Sequence, residues 1–251
     1  MKDEKTYSRG IFILVFYFLF LALDCYFLYH SNFKSRVYSK PILMFFLVFW
    51  FHRNTALGMG IPPQSSRILV CTYSILILSA LSDFFALCWN IFFWYAWMIL
   101  YIPIYLVYLF LFIEVGRRAH EEKKLVFYVK KIVPTFIAVL TIAILVLFKA
   151  IGLGFELYQL SLYLHTFIIC LLAAVCVNMW GFKQLVQSRI LFAGSVFFII
   201  LTNSTFCFDE LYYNRRHPIL DVFTALGNGA ATILMLLGVI KVLKYWKKME
   251  Y

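Results

Sequence analysis

The stretch Arg67 to Asn90, RILVCTYSILILSALSDFFALCWN, decides the fold. It has the length and apolarity of a bilayer-crossing helix, yet it carries Asp83 near its end. An uncompensated carboxylate in hydrocarbon costs several kcal/mol, so Asp83 must be neutralised, paired or turned toward a wet cavity. Thr72, Ser79 and Asp83 stand at i, i+7 and i+11, with Ser82 adjoining. A helix facing lipid on all sides would not gather its polar groups in one stripe, so this face is expected to look into a bundle.

The rest of the chain agrees. Of 251 residues, 64% are hydrophobic, 20% aromatic and only 14% charged, which excludes an ordinary soluble domain. Eight apolar spans are predicted, at about 11–30, 38–57, 68–89, 91–113, 132–153, 157–179, 188–207 and 219–240. The expected architecture is an all-α, polytopic membrane bundle forming a single transmembrane domain, with a weak four-plus-four internal repeat. The basic N-terminus followed by a long apolar run without a small-residue cleavage site reads as a retained first span.

The net charge of +11 is placed for membrane orientation rather than for nucleic acid. With eight spans, 17 Lys and Arg fall on the side that holds both termini and 6 on the other, which puts both termini in the cytoplasm of a cell membrane. The second span has an uninterrupted apolar core only from Pro41 to Phe51, a run also compatible with a re-entrant segment. In that case the count stays 17 to 6 and fixes the side of the C-terminus but not of the N-terminus. Lys40-Pro41 is expected to open that helix, since a first helical position does not need the N–H that proline lacks. The segment Glu114 to Lys131 reads as a solvated loop near headgroups. Six scattered cysteines show no CxxC or CxxH spacing, and no phosphate-binding glycine loop or HExxH is present. Neither a metal nor a cofactor is expected.

Helix direction concentrates the polar residues. Asp24, Asp83 and Thr202 come late in outward-running spans, whereas Lys40, His165 and Asp221 come early in inward-running ones. All six then fall in the outer half of the membrane, as the lining of a cleft that opens outward. Span seven adds Ser195 and Asn203, and span eight carries Asp221, Thr224, Asn228 and Thr232 on one face beside Gly227, Gly229, Ala230 and Ala231, small enough for another helix to approach. Each candidate has a plainer reading. Asp83 can be held by a structural hydrogen bond, Asp24 can pair with Lys34, Arg36 or Lys40, and Asp221 can serve the helix dipole. His165 can be a satisfied interhelical group and Lys40 an interface residue reaching for water.

Several of these residues resemble motifs of the YhhN family of lysoplasmalogenase-like membrane proteins. Lys40-Pro41-Ile42-Leu43 resembles that family's K-P-L opening of the second span, and Ser79-Ala80-Leu81-Ser82-Asp83 its S-L-x-G-D, with Ser82 in place of glycine. Asp24 suits an acidic residue before the K-P motif, Gly194-Ser195 with Phe198 is similar to G-A-x-x-F, and Asn228 falls near a polar residue of the eighth span. The family's second aspartate, from an S-D pair in span seven, falls here at Thr202 or Asn203, and the histidine of its H-x-x-Y at Ile102 if Tyr105 is the tyrosine.

The resemblance implies hydrolysis of the vinyl ether bond of lysoplasmalogens to a fatty aldehyde and a glycerophospho-alcohol. That reaction needs an acid still protonated at neutral pH, and burial penalises the charged form of a carboxyl group. Asp83 is the expected acid, with Asp24 or Asp221 as the second carboxylate. Lys40 is expected to hold the phosphate, and Tyr101 and Trp97 to line the acyl path. Ser79, His165, Thr202, Asn203 and Asn228 complete the expected lining. The expected partners are membrane lipids, with a lysophospholipid as substrate. The rival class is a transporter or ligand-binding membrane protein on the same fold, for which Pro103 in span four and Gly227 and Gly229 in span eight mark interrupted helices.

Overall fold

The computed structural model describes residues 2–30, 33–55, 66–87, 91–119, 125–151, 157–178, 185–212 and 217–249. These form eight helices: α1 (Lys2–Tyr29), α2 (Phe33–Thr55), α3 (Ser66–Leu87), α4 (Ile91–Ala119), α5 (Leu125–Ile151), α6 (Leu157–Asn178), α7 (Val186–Tyr212) and α8 (Pro218–Met249). Five contain stretches long and apolar enough to cross a membrane, at 11–29, 66–85, 99–116, 186–205 and 218–247. α6 holds a shorter apolar run, 162–178. An all-helical chain with this many membrane-length apolar helices is an integral membrane protein.

Consecutive helices pack as hairpins, α1 with α2, α3 with α4, α5 with α6 and α7 with α8. α8 also touches α1, α2 and α3, and α4 reaches α6. α8 therefore lies at the centre, whereas α5 packs chiefly on α6 and buries none of its described side chains. The core between the helices is aliphatic and aromatic, with Leu47, Phe51, Ile75, Leu76, Phe112, Phe192 and Met235 fully enclosed.

The helices run past the apolar spans, and two sequence expectations are corrected. The segment Glu114 to Lys131 is helical at both ends rather than a loop, because α4 continues through the buried Val115 to Ala119 and α5 begins at Leu125. Pro41 lies inside α2 rather than at its start. The preceding residues are helical because Arg36 and Ser39 are both bound to Asp24 of α1. That tertiary anchor offsets the hydrogen bond that proline cannot donate back to residue 37. α2 is thus a continuous helix of 23 residues, about 35 Å long at 1.5 Å per residue. The side chains of Trp97 and of residues 208–212, the residues 88–90 and the residues 213–216 lie outside what the structure describes.

Small residues set the spacing around α8. A Cβ at Gly227 would collide with the Thr202 methyl of α7, and one at Gly229 would lie 2.8 Å from the Tyr17 hydroxyl of α1. At Gly238 it would lie 2.6 and 2.8 Å from two ring carbons of Phe192, which is fully buried and packs on Phe112 with centroids 4.9 Å apart. That ring has nowhere to go. Gly238→Ala is therefore expected to destabilise the bundle by about 1–3 kcal/mol, read as a lower melting temperature in detergent. Gly194→Ala, which meets only the end of Leu234 at 3.1 Å, should melt close to wild type. Equal melting of both variants would contradict this packing.

Candidate functional site

Two ion pairs fix the site. Asp24 of α1 is 1% exposed and accepts from Arg36 through two nitrogens, Nε to Oδ1 at 3.2 Å and Nη2 to Oδ2 at 3.1 Å. Ser39 donates to the same carboxylate at 2.8 Å. One turn further along α2, Lys40 Nζ stands 2.8 Å from Asp83 Oδ1 of α3. Arg36 and Lys40 are four residues apart and so share a helix face. α2 thereby holds a carboxylate from each neighbouring helix. Of the partners open to Asp24 from sequence, Arg36 binds it and Lys40 serves Asp83, while the side chain of Lys34 lies outside the described residues.

Both pairs line a cavity of about 150 Å³, space for roughly ten water molecules. Ser79 joins from α3, Tyr101, Tyr105 and Tyr108 from α4, and Asp221, Thr224, Asn228 and Thr232 from α8, while Tyr17, Leu21, Leu28, Leu43 and Met44 add apolar wall from α1 and α2. The cavity therefore mixes charged and polar side chains with aliphatic surface from the same helices.

The expected site residues divide into two groups. Asp24, Lys40, Ser79, Asp83, Tyr101, Asp221 and Asn228 meet at the cavity. His165, Thr202 and Asn203 are not among its lining and stand behind it. Thr202 donates to the backbone of α7 and reaches Asn228 Oδ1 at 3.1 Å. Asn203 Nδ2 is 2.8 Å from the Tyr105 hydroxyl, and His165 lies edge-on to the Tyr105 ring at 6.1 Å. Thr202 thus touches the cavity wall through Asn228, and Asn203 and His165 touch it through Tyr105. Asp221 belongs both to the first turn of α8 and to the cavity wall, so the capping and site readings are compatible.

Sequence reasoning missed Tyr17, Arg36, Tyr105 and Tyr108 as lining. In a chain this rich in aromatics, a tyrosine in an apolar span carries no signal of its own, and only the packing of α1 and α4 against α8 singles these out. No family model, curated protein or solved structure matches the chain.

Removing one member of a buried pair leaves the other uncompensated. Arg36→Met is expected to cost about 3–5 kcal/mol of stability, and combining it with Asp24→Leu should recover much of that loss. Ser82, fully buried with no hydrogen-bond partner among the described residues, predicts the opposite sign. Ser82→Ala should raise stability by about 1 kcal/mol in thermal unfolding, and a clear loss would mean that its hydroxyl is bonded after all.

Proposed function

We propose that this chain is an eight-span membrane hydrolase that cleaves the vinyl ether bond of lysoplasmalogens, with both termini in the cytoplasm. One observation carries the reading: Lys40, Asp83, Tyr101 and Asp221, from four helices, converge on one cavity with an aliphatic wall. The resemblance of Lys40-Pro41 and of Ser79 to Asp83 to the YhhN motifs supports it, as does the excess of Lys and Arg on one side of the eight helices. The matching hairpins α3 with α4 and α7 with α8 are consistent with a four-plus-four repeat.

In the proposed reaction the substrate phosphate draws the Lys40 ammonium away from Asp83. A buried carboxylate deprived of its counter-ion is the group that takes up a proton most readily. Asp83 then passes that proton to the β-carbon of the vinyl ether, leaving an oxocarbenium ion. Water adds to the cationic carbon and returns a proton to Asp83. The resulting hemiacetal separates into aldehyde and glycerophospho-alcohol. Asp221, which lines the same cavity from α8, is the second carboxylate of the proposal and steers the water and offsets the cation's charge.

A second reading has its own observation. Both buried carboxylates are ion-paired to α2, and Thr202 and Asn203 occupy the place of the family's second aspartate. A pocket so arranged can bind and carry an amphiphile without cleaving it. Protein purified in detergent is expected to release aldehyde from lysoplasmalogen, and Asp83→Asn to slow release by about 10²–10⁴-fold, the usual worth of general acid catalysis. No release by wild type, together with uptake into liposomes that depends on a pH gradient, would favour the carrier.

A further inference from the structure

We propose that Arg36, Lys40 and the Tyr17 hydroxyl form a phosphate-binding subsite in this cavity. The inference rests on the lipid reading for its ligand class and adds Arg36 and Tyr17 to the Lys40 of that reading. Arg36 and Lys40 both line the cavity from one face of α2, about 6 Å apart along the helix axis. A guanidinium has five N–H donors, and Asp24 engages Nε and Nη2. The same contacts lock its plane, so the Nη1 edge is pre-oriented for a second anion. Lys40 likewise has three donors and one described contact, to Asp83.

Tyr17 supplies the independent observation. It is 1% exposed, it lines the cavity, and its hydroxyl makes no hydrogen bond among the described residues. Buried tyrosine hydroxyls nearly always have a partner, so this one is fitted for a ligand. Gly229 makes the room: a Cβ there would sit 2.8 Å from that oxygen.

Three donor groups from α1 and α2 match the several acceptor oxygens of a phosphate ester. The carboxylates of Asp24 and Asp83 already balance the two cations, which makes the subsite a poor trap for small anions in general. A phosphate that arrives on an apolar chain gains additional binding from Leu21, Leu28, Leu43 and Met44 on the same wall.

Binding to the full chain in detergent tests this with probes that cannot be cleaved. The probes are 1-palmitoyl lysophosphatidic acid, 1-palmitoylglycerol and inorganic phosphate. The phosphorylated lipid is expected to bind about tenfold or more tightly than the glycerol ester, and Tyr17→Phe or Lys40→Gln to remove about tenfold of that preference, the worth of one hydrogen bond to a charged group. Tyr17→Phe keeps the ring and so keeps the packing. Inorganic phosphate binding as tightly as the lipid would support the subsite and assign it to the free anion. Equal binding of the two amphiphiles, or a preference unchanged in both variants, would overturn it. A retained preference with no aldehyde release from lysoplasmalogen would uphold the subsite and sink hydrolysis.

Discussion

A charge cannot stay in hydrocarbon without a partner, and α2 is where this chain supplies the partners. Arg36 and Lys40 take Asp24 of α1 and Asp83 of α3, so two carboxylates from different helices are neutralised by a single turn of a third. The pairs also explain how α2 holds its place. It carries charge at both ends and a proline within, and it is not among the five helices with stretches long and apolar enough to cross a membrane. Ion pairs to both neighbours, together with the enclosed Leu47 and Phe51, tie it into the bundle.

The second organiser is α8, whose glycines let α1 and α7 approach. This close packing brings Asp221, Thr224, Asn228 and Thr232 to the cavity opposite the charged turn of α2. Behind them a shell of neutral hydrogen bonds, Thr202 to Asn228 and Asn203 to Tyr105, fixes the wall. Asp221 adds a carboxylate to that wall, and Ile199 lines the cavity from α7.

Much of this was legible before any coordinates. The eight helices follow from hydropathy, and Asp24 and Asp83 announced themselves because an acid in an apolar helix demands compensation. The identity of that compensation was not legible. Lys40 read as a phosphate-holding residue, as a partner for Asp24 or, more plainly, as an interface residue, and only the approach of α2 to α3 shows it bonded to Asp83. Pro41 read as a helix start because local rules place proline there, whereas the anchor at Asp24 extends the helix ahead of it. His165, Thr202 and Asn203 share the membrane depth of the site but not its wall, since depth follows from sequence and azimuth around the bundle does not.

The central claim is that Lys40 and Asp83 are one electrostatic unit holding α2 against α3. A double-mutant cycle with Lys40→Met and Asp83→Leu, followed by thermal or denaturant unfolding in detergent, measures it directly. Each single variant should be destabilised strongly and the double variant far less than their sum, leaving a coupling of about 0.5–3 kcal/mol, the range found for residues in contact. Additive losses with no coupling would contradict the account.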